Sequence, residues 1–331
     1  MLPLRLLKAL VLVSFLLVAV PCSSLQAAGI AKDGALSGGT AGSDWNERVK
    51  EWIEVTHQDS LTARVESATR MFLGNPYIGD PLGEGQGGRY DQDDLYRFDG
   101  FDCTTFVETI MALSGASDLS HFERRMNSIR YEGGRIDFTT RNHFPSLDWI
   151  PNNARDGFIR DVTREVAQAG GSEVSLARAL IDKPRWYSMM KESNLQLKEA
   201  LSAAEKAARV REWRKEGDAF RAQEATLDYI RFEEFFHEGR PNERLVAGIP
   251  SGSVINIVRP NWDLTDVMGT HMNVSHQMIF FRNAEGRPVL RHASSVARKI
   301  VEADFFAVMQ SYLGHKTAKG INIDQILVRS L

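Results

Sequence analysis

Apolar residues along this chain recur at two different spacings, and the change between them divides it. From Trp45 to about Leu73 they fall at helical spacing in two pieces. Val49, Trp52 and Ile53 share one face, and Val65, Ala68, Met71 and Phe72 share another. Gly74-Asn75-Pro76 ends the second piece. Gly79 to Gly100 is rich in Gly and Asp and has no period, so a loop is expected there. A stripe of Phe106, Val107, Ile110 and Met111 then predicts a helix that opens at Cys103 and closes at Gly115. Arg124 to Ile159 is mixed and turn-rich, with Arg and aromatic residues interleaved. Ser172 to about Gly239 is strongly charged, and its apolar residues at helical spacing predict packing helices.

Beyond Gly239 the period shortens. Val254 to Val258 is a continuous apolar run of the buried-strand kind. Val274 to Phe281 and Pro288 to Ala293 read as two strands joined by a turn at Asn283 to Gly286. Ala297 to Val301 and Ile326 to Arg329 are further expected strands. Helices first and an antiparallel sheet afterwards make an α+β pattern.

Composition changes the picture little. Of 331 residues, 43% are hydrophobic and 25% charged, and the net charge is −3, so bulk electrostatics give no reason to expect nucleic acid or an anionic membrane as partner. The first residues matter more. Arg5 and Lys8 precede an apolar run, Ala9 to Val20, interrupted only by Ser14, and small residues lead to Ala27 and Ala28. This is the pattern of a secretory signal, too short for a comfortable membrane span. Residues 1–28 are therefore expected to be a signal peptide cleaved near Ala27 or Ala28, and 29–44 a flexible lead-in. Residues 45–331 form one domain, with a helical insertion at about 172–239. The expected location is the periplasm, with no stable membrane insertion after cleavage. Pro21 before Cys22 argues against a lipoprotein anchor.

Cleavage would leave Cys103 as the single cysteine of an exported chain. Such a thiol is either an inert packing residue or a reactive group, and the count alone fits both. Its position favours the second. A thiol in the first turn of a helix meets unpaired N–H groups and the positive end of the helix dipole, which lower its pKa. The same N–H groups can hold an oxyanion. A nucleophile also needs a base, and the base an orienting partner. His276 and His292 lie on the two strands of the expected hairpin, within about one residue of facing each other, where opposite Cβ atoms are about 4.5–5.5 Å apart. A zinc site using His143, His271, His276 and His292 lacks the usual ligand spacings, so no metal and no cofactor is expected.

Four stretches carry a resemblance. Gly74-Asn75-Pro76-Tyr77, Phe101-Asp102-Cys103-Thr104-Thr105-Phe106-Val107-Glu108, Val274-Ser275-His276 and Arg291-His292-Ala293-Ser294 resemble the NlpC/P60 superfamily. Within it they are similar to the DUF1460 branch, which is N-acetylmuramoyl-L-alanine amidase-like. Ile129 to Gly134, Arg141 to Phe144, Asp148 to Asn153 and Asp161 to Thr163 add to that likeness, which spans about Ser67 to Leu331. Asp-Cys-Thr-Thr, where the wider superfamily usually has Asp-Cys-Ser-Gly, suits the amidase branch. Gln277-Met278 departs from it, since a small Gly is common at the second position.

The resemblance implies a papain-like NlpC/P60 core, with helices packed on an antiparallel sheet and a large helical insertion between Cys103 and His276. It implies Cys103, His276 and His292 as the catalytic triad, with Tyr77 and Asp102 near the nucleophile. It further implies a muropeptide substrate cut between the muramoyl lactyl group and L-alanine, with released anhydro-muropeptides favoured. Thr104, Glu108, Arg130, Tyr131, Arg141, His143, Trp149, Ser275 and Ser294 are substrate-binding candidates. Arg130, Arg135 and Arg141 suit the carboxylates of a stem peptide, and Trp149 and Tyr131 suit a sugar face. The competing activities are an endopeptidase cutting a γ-D-glutamyl–diamino acid bond and a binding protein without catalysis. The endopeptidase would need a carboxylate to receive the free amine of L-alanine. The complete Cys, His, His set argues against the binding protein.

Overall fold

A computed structural model describes residues 43–328; the expected signal peptide and almost all of the lead-in lie outside them. Two helices, α1 (Ser43–Thr56) and α2 (Leu61–Met71), come first, and Ser60 caps the second through the Ala63 N–H. After the Gly-rich loop come α3 (Cys103–Ser114) and α4 (Leu119–Arg130). The middle of the chain holds α5 (Ile150–Arg155), β1 (Ile159–Asp161), α6 (Thr163–Gly170), β2 (Ser175–Asp182), α7 (Lys183–Ser188), α8 (Ala203–Glu216) and β3 (Ala222–Arg231). A two-stranded ribbon, β4 (Phe236–His237) and β5 (Arg240–Pro241), precedes α9 (Glu243–Ala247). The C-terminal part is β6 (Ser253–Leu264), α10 (Thr265–Met268), β7 (Thr270–Arg282), β8 (Pro288–Ser294), β9 (Lys299–Asp304), α11 (Phe305–Ser311) and β10 (Gly320–Ile326).

One antiparallel sheet organises the molecule, with strand order β2-β3-β10-β6-β7-β8-β9 and β1 beside β10. Side chains of successive strand residues point to opposite faces, and both faces are covered. Val254, Val258, Val274 and Ile279 face the helices α1 to α4, where Phe72, Phe106 and Ile110 complete the core. Ile255, Ile257, Met278 and Phe280 face α6, α9 and α11. A third, aromatic core joins Tyr90 of the Gly-rich loop to Trp186, Tyr187 and Trp213 of α7 and α8.

Two expectations change. The segment at 172–239 is not a helical insertion throughout. It is a β-hairpin arm, β2 and β3 in register from Ser175↔Tyr229 to Asp182↔Ala222, carrying α7 and α8 at its end. In β2 the buried positions are Ala177, Ala179 and Ile181, while Leu176 and Leu180 face outward. Small residues inside and leucines outside hide the period of two. The last strand runs over Gly320–Ile326, earlier than the expected Ile326 to Arg329. Its inward positions alternate between Ile and the buried polar Asn322 and Asp324, which disguise it as a loop.

Candidate functional site

The first turn of α3 is fixed by its own sequence. The Asp102 side chain accepts the Thr105 N–H at 2.8 Å, and the Thr105 hydroxyl accepts the Asp102 N–H at 3.0 Å. This reciprocal cap makes Cys103 the first helical residue, as the apolar stripe predicted. Tyr77 is held beside it by main-chain bonding: Ile78 N–H donates to Phe101 O and Phe101 N–H to Pro76 O, at 2.9 and 3.1 Å. The approach is close enough that a Cβ on Gly100 would sit 2.4 Å from Ile78 Cδ1 and 3.1 Å from Pro76 O, so any larger residue there would push Ile78 aside.

The histidines arrive on β7 and β8. The ladder between these strands runs from Arg282↔Pro288 to Ile279↔Arg291. Continued in register it would pair His292 with Met278, so His276 lies two residues beyond a directly facing position, one more than expected. An even offset keeps both on one face. Their rings meet diagonally, with Nε2 of His276 2.7 Å from Nδ1 of His292. Past Ile279 the ladder ends, and the Gln277 main chain and Thr104 come near enough to the Cys103 sulfur to favour its ionised form. On its other side β7 carries a bulge. Ile257 pairs with His276 but Val258 pairs with Val274, which leaves Ser275 as the extra residue. A bulge of this kind re-aims neighbouring side chains, and here it sits next to His276.

These groups open into one cleft, lined by Cys103, Tyr77, Asp102, Thr104, Ser275 and His276. Arg141 and His143 of the expected set also line it. Arg141 is fully engaged, however, bonding Glu84 and reaching Asp91 at 2.9 Å. His143 Nε2 meets Phe138 O at 2.8 Å. Six other candidates lie elsewhere, four of them in one buried group. Arg130 and Glu108 form a buried pair at 2.9 Å, and the Trp149 Nε1–H donates to Glu108 at 3.1 Å. The Tyr131 hydroxyl donates to Gly83 O at 2.8 Å. Trp149 and Tyr131 are wholly buried, so neither presents a face to a sugar. This group fastens the Gly-rich loop to α3. Ser294 accepts the Ala297 N–H in the β8–β9 turn, and Arg135 is exposed outside the cleft.

The sequence reading missed the arm's contribution. Trp186, Met190 and Trp213 from the arm, with Phe138 and Trp262, form the apolar walls of the cleft. Asp80 was also missed. It lines the cleft with φ +46°, an uncommon conformation for a residue other than Gly. Solvent reaches Asp80, yet protein surrounds it within the concavity, and that partial desolvation pushes its carboxyl up to about 6.

Burial dominates the electrostatics. It pushes the Cys103 thiol up to about 12, with the Asp102 carboxylate adding to the effect. The hydrogen bonds of Gln277 and Thr104 oppose that shift without overcoming it, so the lowered thiol pKa expected from the helix terminus is not found. Burial also holds His276 well below its ordinary value and brings His292 down to about 4. The resting site therefore carries a neutral thiol and neutral imidazoles. Among the described residues no three His, Cys, Asp or Glu side chains gather as a metal-ligand group. Nor is any described helix long and apolar enough to cross a membrane.

Comparison with known proteins shows the family and the fold. Residues 67–315 match a family model described as AmiA-like, N-acetylmuramoyl-L-alanine amidase-like. A protein of Legionella pneumophila, itself matched by the DUF1460 family model, is 33% identical with a TM-score of 0.81, over 86% of this chain and 95% of that one. An N-acetylmuramoyl-L-alanine amidase of Bacteroides uniformis shares the fold at 24% identity and a TM-score of 0.55, over 81% of this chain and 99% of its own. No curated protein matches the sequence.

Proposed function

The chain belongs to the N-acetylmuramoyl-L-alanine amidase-like family, and from that premise we propose that it is a cysteine amidase cutting the muramoyl–L-alanine bond of muropeptides. The observation that carries this reading is that His276, held by a 2.7 Å contact to His292, lines the same cleft as Cys103 at the start of α3. In the tautomer that serves the reaction, His276 Nε2–H donates to His292, and Nδ1 of His276 is the base.

Because the thiol rests neutral, its proton moves to His276 as the sulfur attacks the lactyl carbonyl. The carbonyl π-pair becomes an oxyanion, facing the N–H groups at the start of α3 and the Tyr77 hydroxyl. On collapse the C–N bond breaks, and His276 returns the proton to the leaving nitrogen. The stem peptide departs as a free amine, and the muramoyl group remains on sulfur as a thioester. Water, deprotonated by His276, then releases the sugar acid and restores the thiol. No step draws on a metal or cofactor.

The cleft's two characters suit such a substrate. The apolar arm wall around Trp186 and Met190 replaces Trp149 and Tyr131 as the surface for a sugar, and the polar side carries Asp80, Asp91 and Arg141. A papain-like NlpC/P60 core is the corresponding fold assignment. Peptidoglycan fragments lie outside the cytoplasm, which agrees with reading residues 1–28 as an export signal and the periplasm as the working location.

One observation favours a second reading. Asp80 supplies a carboxylate in the cleft near Tyr77, which a γ-D-glutamyl–diamino acid endopeptidase would need to hold a free L-alanine amine. Mass analysis of products from a defined disaccharide-tetrapeptide separates the two. The amidase yields an intact stem peptide with a free L-alanine amine and a peptide-free sugar. L-alanine retained on the muramic acid would give the endopeptidase the assignment.

A further inference from the structure

Most buried cations in this molecule are accounted for. Arg130 and Arg141 meet carboxylates, as do Lys183 and Arg291, while Arg64 and Arg125 reach main-chain carbonyls. Arg259 of β6 departs from that pattern. It is 6% exposed, its buried Nε has no hydrogen-bond partner, and among the described residues no carboxylate pairs with it. Its neighbour is the face of Trp262, 4.4 Å from the ring centroid. A cation–π contact offsets only part of the cost of removing a guanidinium from water. Consistent with this, burial pulls the Arg259 pKa below its ordinary value.

Its position is informative. Trp262 lines the cleft that holds Cys103 and His276, and Arg259 lies against Trp262 just outside that lining. Burial raises the Tyr312 phenol, and Tyr312 stands near enough to Arg259 for that charge to oppose the shift, and near enough to Cys103 to sense a thiolate there. The α11–β10 connection closes this corner: Lys319 N–H donates to Val258 O at 2.9 Å, and His315 Nδ1 accepts the Ala318 N–H at 3.0 Å. Burial holds His315 below its ordinary value, and the charges of Arg259 and Lys319 add to that. Two cations therefore meet here, and no acid offsets Arg259. Arg130 and Arg141, the arginines expected to receive carboxylates, have their charge already neutralised. Arg259 does not.

We propose that Arg259 is the receptor for a carboxylate of the substrate's peptide, seated past Trp262 with Tyr312 and His315 on its flank. The identity of the ligand rests on the amidase reading; the need for an anion rests on the unpaired guanidinium. A forked, charge-assisted pair with a carboxylate supplies the partner the resting protein lacks.

Binding to a Cys103→Ala protein tests this without any cleavage. The probes are an L-alanyl-γ-D-glutamyl-diamino acid tripeptide with free carboxylates and the same peptide with every carboxyl converted to carboxamide. Calorimetry should show the carboxylate form binding at least about tenfold tighter, as a charged hydrogen bond commands. Adding Arg259→Gln should abolish the preference, and Arg259→Lys should keep part of it. The melting temperature supplies the second readout. Removing an uncompensated buried charge should leave it unchanged or raise it, whereas a structural packing residue would lower it. Equal binding of the two peptides to the parent, no binding of either, or a preference that survives Arg259→Gln rejects the proposal. Product analysis of the wild-type enzyme is read separately, so an error about the bond that is cut is told apart from an error about Arg259.

Discussion

Burial governs the protonation of the three central side chains, and its consequences can be measured. His292 titrates near 4 in the folded chain against 6.5 for an ordinary histidine. As pH falls, the unfolded chain takes up that proton first. The contribution is therefore fully present above pH 6.5 and is lost between pH 6.5 and about 4. A displacement of this size corresponds to about 3 kcal/mol. Urea melts from pH 7 to 4 should show the loss, and His292→Gln should reduce it; equal pH slopes in the two proteins would contradict the assignment. Activity follows the same logic. His276 stays neutral well below pH 6.5, so the acid limb of kcat/KM should lie below that value. Cys103→Ala and His276→Ala should each lower the rate about 10³-fold or more, and His292→Gln less, because an orienting group fixes a tautomer without accepting the thiol proton. A His276→Ala enzyme faster than His292→Gln would reverse these roles.

Local elements were legible where their signals are local. The start of α3 could be placed because Asp102, Thr105 and the apolar stripe act within one turn. The β7–β8 hairpin could be placed because Asn283 to Gly286 forms its own turn, with Arg287 N–H donating to the Asn283 side chain at 2.9 Å. The cap supports a prediction at this scale. Asp102→Ala removes the acceptor for the Thr105 N–H and should cost about 1 kcal/mol in a urea melt. It should also lower the rate, since the N–H groups of that turn face the sulfur. An undiminished rate would place the oxyanion elsewhere. The offset between His276 and His292 was not legible, because the point where β7 and β8 separate depends on α3 packing against both. Nor was the Ser275 bulge, whose partner Ile257 lies on a different strand. The β2–β3 arm was hidden by Ala177 and Ala179, whose small side chains give a strand no apolar stripe.

At the scale of the molecule, the cleft exists because the arm folds back over the sheet, and no local pattern announces that. Trp149 and Trp186 look alike as sequence, and only tertiary packing buries one behind Glu108 and places the other on the cleft wall. The arm is fastened by a buried ion pair: Lys183 Nζ at the start of α7 reaches Asp148 at 2.7 Å, while the other oxygen of Asp148 accepts the Phe144 N–H. Breaking such a pair from one side leaves an uncompensated buried charge, whereas removing both charges often costs little. Lys183→Met should therefore destabilise the protein by about 3 kcal/mol. Adding Asp148→Asn should recover most of that loss, since the amide oxygen still accepts from Phe144. Function should follow the same order. The single variant should raise KM about tenfold or more as the wall of Trp186 and Met190 loosens, with a smaller effect on kcat, since Cys103 and His276 stand on α3 and β7. The double variant should return toward the wild-type KM. A double variant as unstable as the single one, or a single variant with unchanged KM, would mean that this pair does not hold the arm against the cleft.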